Sequence, residues 1–351
     1  MSAKAMPEET AKHLTELVEH FRVRPGSKVT LSEDFDPGFA SNLIRKRDGD
    51  ELLQQGVRLL AEYQARLAAQ DTYGLVVILQ AMDAAGKDGT IQHVLSGVNP
   101  QGVTVHSFKV PSMEELDHDY LWRYAQRLPG RGEIGIFNRS HYEEVLVVKV
   151  HDEYLDRQKM PAQSRGADVW SRRYREINEW ERYLVDNGFR VVKLFLNLSK
   201  EEQRLRFLRR IDLPEKNWKF SAADVAEREH WDEYQAAYSA MLSNTSTEWA
   251  PWHVIPADHK WFARISAAAV IARALAEIDP QYPTVDDAAR RDLLAAKAAL
   301  ERQAPAGAAT GEAGKAAADP GDAGKAAKQG RHGKKADKPA GGKTGSGADG
   351  R

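Results

Sequence analysis

Residues 73–90 read YGLVVILQAMDAAGKDGT. Residues 73–80 form an unbroken apolar run, the pattern of a strand buried on both faces. A turn with Gly86, Lys87 and Gly89 follows, and helical signals begin at residues 90–95. Strand, Gly-Lys loop and helix in that order is the context in which backbone N–H groups and a lysine take up phosphate. Two letters break the usual loop pattern. Ala81 stands where the first glycine is expected, and Asp88 stands where Ser or Thr follows the lysine. Asp83 adds a further carboxylate, so a loop that must hold anions carries acids of its own. An ordinary strand–helix turn with a surface lysine would contain similar letters. The apolar strand before the turn argues for the phosphate loop, with Ala84, Ala85, Gly86, Lys87, Asp88, Gly89 and Thr90 as its anion-binding segment.

The chain around this stretch alternates helix and strand. Residues 52–69 carry apolar side chains at helical spacing. Strands are predicted at residues 103–108, 133–138, 190–199 and 252–257. Residues 167–188 predict a helix with a stripe through Val169, Ile177 and Leu184 and a stop at Gly188. A basic helix is expected over 200–210, a packing helix over 260–278, and a last helix near Leu300. Such alternation predicts a three-layer α/β/α fold around a parallel five-stranded sheet, with ligands beyond the carboxyl ends of the strands. The divisions are an N-terminal extension to residue 50, a phosphate-loop body over 51–280 that includes a helical segment at about 200–248, and a helix over 281–302. Residues 303–351 form an Ala/Gly/Lys-rich tail that cannot bury enough apolar surface to order, so disorder is expected there.

Composition narrows the class. The 351 residues are 42% hydrophobic and 29% charged with net charge -1, ordinary values for a globular protein. No specific nucleic-acid partner is implied by that balance. There are no cysteines, which excludes thiolate metal sites and cysteine nucleophiles and suits a cytoplasmic location. No signal peptide, membrane span or histidine-based metal spacing is visible.

The third strand ends in IGIFNRSHYEEVL. Phosphate-loop enzymes place an acidic or amide residue there to hold Mg2+, and Asn138 takes that place. Arg139 can reach a transferring phosphoryl group. Glu143 and Glu144 read either as acids at a helix start or as a metal or acceptor contact. Arg204, Arg206, Arg209 and Arg210 follow the fourth strand, with 206 and 210 on one helix face. Lys109, Arg123, Arg127, Arg131, Lys149 and His151 are candidates for an anion track, though each alone reads as a surface charge. Trp218, Trp231, Trp249, Trp252 and Trp261 divide between packing and stacking on a nucleotide base.

Taken together, the motifs resemble the polyphosphate kinase 2 family. Its loop pattern, Asp-x-x-Gly-Lys-[Gly/Asp]-Gly, is matched by Asp83, Gly86, Lys87, Asp88 and Gly89. A second pattern, Phe-[Asn/Asp]-Arg-Ser-[His/Trp]-Tyr, is matched by residues 137–142. The segment 209–258 is similar to the family's lid and final strand, and the likeness spans residues 26–278. The wording resembles the subgroup acting on both AMP and ADP, usually called class III. The class preferring nucleoside diphosphates typically carries Trp and Asn at the places of His141 and Glu143.

The resemblance implies a thymidylate-kinase-like fold, inorganic polyphosphate and AMP, ADP or ATP as substrates, and a homo-oligomer, dimer or tetramer. It implies a divalent cofactor, Mg2+ or Mn2+, held by Asp83 with Asn138. The loop's acids then make sense, because a carboxylate and a phosphate about 4 Å apart repel by on the order of 4 kcal/mol at an effective dielectric of 20. A bridging cation reverses that sign. Asp83, Lys87, Asn138, Arg139 and Arg210 become the catalytic candidates, Lys219 a phosphate ligand, and Glu143, Arg206 and Trp218 nucleotide or lid contacts. Two alternatives remain: an ATP-dependent nucleoside monophosphate kinase of the thymidylate-kinase type, and a non-catalytic nucleotide or polyphosphate binder.

Overall fold

The structure, a computed structural model, describes residues 8–41 and 44–303. Beyond Gln303 the tail expected to be disordered lies outside the described residues. Along the chain, α1 (Glu8–Phe21), the short α2 (Leu31–Asp34) and α3 (Gly49–Gln70) precede β1 (Gly74–Ala81). Next come α4 (Lys87–Val94), β2 (Val103–Ser107), the short α5 (Met113–Asp117) and α6 (Trp122–Ala125), and β3 (Ile134–Asn138). The single turn α7 (Val147–Val150), α8 (Val169–Asp186) and β4 (Phe189–Asn197) follow. The described chain ends through α9 (Lys200–Asp212), α10 (Ala222–Glu227), α11 (Trp231–Thr245), β5 (Trp252–Pro256), α12 (Lys260–Ile278) and α13 (Asp287–Arg302).

The five strands pair in the order β2-β3-β1-β4-β5, and every pairing is parallel. β1 lies at the centre and is buried along its whole length. Its side chains alternate between two apolar layers, as the period of a strand requires. Leu75, Val77, Leu79 and Ala81 join the layer built with α1, α3, α4 and α12. Val76 and Ile78 join the layer built with α8 and α11. Val169, Ile177 and Leu184 of α8 are buried as a stripe, and Gly188 ends the helix at φ +84. The three-layer parallel α/β architecture read from the sequence is therefore the observed one.

Ala5–Val285 form one compact unit. Within it the N-terminal segment is part of the core: Leu17, Val18 and Phe21 are buried against the α12 layer. The Val23 N–H donates to the Trp252 carbonyl at 2.9 Å, joining that segment to β5. A second unit contains α13, whose N-cap Asp286 accepts from the Ala289 N–H at 2.8 Å.

Strand order places the loop after β1 where the topology reverses. The chain leaves β1 for β2 and β3 on one side, then crosses to β4 and β5 on the other. Open parallel sheets bind ligands at such a point. Register brings the ends together: Leu79 pairs with Asn138, and Ala81 with Leu196.

Candidate active site

The turn from Met82 to Gly86 carries two left-handed residues, Ala84 at φ 63 and Gly86 at φ 105. Gly86 caps α4, and the Thr90 N–H donates to its carbonyl at 2.9 Å. Alternating left- and right-handed residues turn successive N–H groups toward one side, making an anion-binding concavity. Glycine accepts its φ freely; alanine does so at a cost of about 1–2 kcal/mol. Lys87 opens α4, and its Nζ donates to the Ala81 carbonyl at 2.9 Å. Burial, with Arg139 nearby, lowers the Lys87 pKa to about 8 against the opposing pull of Asp83, Glu143 and Asp88.

Arg139 follows β3 in a left-handed conformation, φ 63. Its Nη2 donates to Asp83 Oδ1 at 2.8 Å, and its Nη1 lies 3.4 Å from Glu143 Oε2. Glu143 foremost, and then Asp83, hold the guanidinium proton more tightly than usual, with burial opposing. Asn138 donates from Nδ2 to Asp88 Oδ1 at 2.9 Å and to Ser107 Oγ at 3.3 Å. Lys219 Nζ lies 3.6 Å from Asp88 Oδ2. Arg210 is loosely held, 3.5 Å from Asp224 Oδ2.

These groups surround a cavity of about 950 Å³. Residues 83–90, Asn138, Arg139, Arg206, Arg210, Trp218 and Lys219 all line it, so the candidates from the phosphate loop, the end of β3 and the segment after β4 converge here. Glu143 stands behind Arg139 rather than on the lining. Arg206 requires a correction. It is 4% exposed, and all its guanidinium nitrogens donate to the protein. Nε donates to Glu202, Nη1 to the carbonyls of Ala84 and Ala85, and Nη2 to those of Ala257 and Asp258. Its donors are thus spent on Glu202 and four backbone carbonyls, not open to a nucleotide. An arginine facing into a turn and one facing a ligand look alike in a sequence.

Arg209, named in the sequence with the other arginines of its helix, also lines the cavity, and three residues join unanticipated: Lys216, Lys260 and Arg264. Lys260 and Arg264 share one face of α12 at i,i+4, a signal hidden because that helix reads as an apolar packing element. Altogether ten Lys and Arg side chains face three carboxylates around the cavity. Of the six track candidates only Lys109 lines it. Arg123 is buried and donates to the Lys109 carbonyl at 2.9 Å. Arg131 caps the opposite end of the sheet through the carbonyls of Thr72 and Asn187, at 2.7 and 2.9 Å. Lys149 donates to the Tyr174 hydroxyl at 3.0 Å, and a His151 ring nitrogen lies 2.8 Å from Glu227. Among the five tryptophans only Trp218 reaches the cavity, 77% exposed; Trp231 and Trp252 are core.

The oxygen set suits a hard cation. Mg2+ keeps several waters and takes one or two carboxylates plus substrate phosphates, and Asp83 and Asp88 lie beside the anion-facing turn. Among the described residues no group of three His, Cys, Asp or Glu side chains forms an all-protein cage. No helix among them is long and apolar enough to cross a membrane.

A family model described as Polyphosphate kinase 2 matches residues 43–283. The ADP-polyphosphate phosphotransferase of Rhodopseudomonas palustris is 50% identical over 280 residues, which is 79% of this chain and 96% of the relative. The AMP/ADP-polyphosphate phosphotransferase of Meiothermus ruber is 44% identical over 278 residues, 79% of this chain and 100% of the relative. The crystal structure of Polyphosphate Kinase 2 from Arthrobacter aurescens superposes with a TM-score of 0.69 at 41% identity, covering 78% of this chain and 95% of that one. With its phosphate loop, strand order and motif residues placed as above, the chain belongs to the polyphosphate kinase 2 family.

Proposed function

We propose that this chain transfers a phosphoryl group between inorganic polyphosphate and a nucleoside mono- or diphosphate, forming ADP or ATP, by direct in-line displacement. The observation that carries this is the excess of cations, ten against three carboxylates, around a cavity floored by a phosphate loop. A single nucleotide does not need that much positive charge; a chain of condensed phosphate does.

In the forward direction an oxygen of the nucleotide's terminal phosphate attacks the terminal phosphorus of polyphosphate. The bridging P–O bond breaks, and the polymer leaves one unit shorter with the electron pair. Nucleotide phosphates are ionised near neutral pH, so no strong general base is needed. Catalysis is positioning and charge stabilisation. The turn N–H groups and Lys87 seat the transferring phosphoryl group. Arg139 aligns the attacking phosphate while Asp83 and Glu143 hold its guanidinium in place. Arg210 and Lys219 enter from the lid segment over 200–248, where their long contacts to Asp224 and Asp88 are exchanged for phosphate oxygens. Trp218 offers an exposed face for the base. Asp83, with Asn138 and Asp88, would hold Mg2+ or Mn2+, which neutralises phosphate charge when bound. In-line transfer is reversible, and the enzyme acts as a cytoplasmic homo-oligomer, dimer or tetramer.

A separation of donors tests the proposal. The chain is incubated with ADP or AMP, Mg2+ and polyphosphate, with no ATP, and nucleotides are resolved by chromatography. New ATP or ADP supports it. Product formed only when ATP is the donor selects an ordinary nucleotide kinase instead.

A further inference from the structure

Two buried side chains of α9 hold three consecutive carbonyls of the phosphate loop. Gln203 Nε2 donates to the Asp83 carbonyl at 3.0 Å. Arg206 Nη1 donates to the carbonyls of Ala84 and Ala85 at 3.1 and 2.6 Å. Both side chains are almost fully buried, 2% and 4% exposed. Each is braced from behind: Arg228 Nη1 donates to Gln203 Oε1 at 2.7 Å, and Glu202 accepts from Arg206 Nε at 2.8 Å. Arg206 Nη2 ties the same unit to the Ala257 and Asp258 carbonyls at the end of β5, at 2.5 and 3.2 Å.

A trans peptide points its carbonyl and the following N–H in opposite directions. Fixing the carbonyls of Asp83 and Ala85 on α9 therefore aims the N–H groups of Ala84 and Gly86 away from that helix. Between them Ala84 sits at φ 63, a strained conformation for alanine that persists only where surroundings determine it. Arg206 supplies that constraint at the Ala84 carbonyl.

We propose that Gln203 and Arg206 are positioning residues that set the direction of the loop's N–H groups, acting on the transferring phosphoryl group through the backbone without touching it. This rests on the phosphoryl-transfer reading of the same cavity.

The test uses the full chain and two variants, Gln203→Glu and Arg206→Lys. Gln203→Glu is isosteric and keeps the acceptor for Arg228, but sets an oxygen against the Asp83 carbonyl. Arg206→Lys keeps the charge but cannot span the four carbonyls and Glu202. Displacement of reacting groups by about 1 Å costs roughly 10²-fold in rate. Gln203→Glu is expected to lose about tenfold in kcat and Arg206→Lys about 100-fold, with KM for the nucleotide unchanged within about twofold. Affinity for inorganic tripolyphosphate, measured by calorimetry without nucleotide, is expected to weaken in both. Variants that melt lower yet keep wild-type kcat per folded molecule would show a purely structural role and overturn the proposal. If Arg206→Lys does not fold, the Gln203→Glu result decides. A wild-type chain that binds tripolyphosphate but transfers nothing from polyphosphate sinks the activity reading alone, and the calorimetric arm still reads the loop. A wild-type chain that binds no tripolyphosphate sinks the positioning claim as well.

Discussion

In the proposed reaction Lys87 is the residue on which the chemistry turns, and its surroundings make it titrate within reach of experiment. Burial and Arg139 bring it down to about 8. A lysine is charged below its pKa, so Lys87 is nearly fully charged at pH 7 and below, half charged near pH 8, and loses the rest as pH rises further. We expect kcat/KM for polyphosphate to fall about tenfold per pH unit above 8, and Lys87→Arg, which does not titrate in that range, to remove the fall. Initial rates against pH measure this; a profile flat through pH 9 in the wild type would contradict it. Lys87→Ala is expected to lose on the order of 10²–10³ in kcat, the scale of removing one preorganised donor, while its Tm stays close to wild type in calorimetry. At this scale the sequence was most informative where residues are neighbours in the chain. Residues 83–90 and 138–139 were read directly, because a loop and the residue ending a strand are local patterns. Arg206 was misassigned and Lys260 and Arg264 were missed, because their positions depend on what another element packs beside them.

Among the elements, β4 holds a buried ion pair that its apolar pattern does not announce. Lys193 and Glu181 are both fully buried, with Lys193 Nζ 2.7 Å from Glu181 Oε2. The ammonium also donates to the Tyr142 hydroxyl at 2.9 Å and the Thr245 carbonyl at 2.6 Å. Tyr142 belongs to the FNRSHY motif, so this pair anchors the turn that presents Arg139. Removing one partner of such a pair leaves a buried charge and costs about 3–5 kcal/mol. Lys193→Met should therefore lower unfolding free energy in urea by that amount, and adding Glu181→Leu should restore part of it. A double variant no more stable than the single one would show that the charges are not coupled. A lysine amid RVVKLFLN is visible in the sequence; its partner on α8, packed against the sheet, is not. α9 and the segment after it differ in burial. α9 buries Gln203, Arg206 and Phe207, whereas residues 214–230 bury no side chain. Hydrogen exchange should show slow amides in α9 and fast ones over 214–230. Equal protection across both would mean that residues 214–230 do not open independently of α9.

Taken as a whole, the chain resolves into a compact unit, Ala5–Val285, that contains every residue of the cavity, and a second unit beginning at Asp286. Truncation after Val285 is expected to leave kcat within about twofold of the full chain, inside the scatter of surface changes. A large loss at low salt would give the basic tail a part in capturing polyanion. The strands covered on both faces were legible because they write themselves as apolar runs, the half-exposed edge strand β2 because its Val residues alternate with polar ones, and the helices because caps and stripes recur locally. The role of α1 in the core was not, since a short amphipathic helix states that it has an apolar face but not what covers it. The central claim is that condensed phosphate, not ATP, is the donor for which this cavity is charged. It is tested most directly by supplying ADP, Mg2+ and long-chain polyphosphate in the absence of ATP and following ATP by luminescence. Steady ATP formation that stops on addition of a chelator is the predicted result; no ATP from polyphosphate, or undiminished formation in excess chelator, would contradict it.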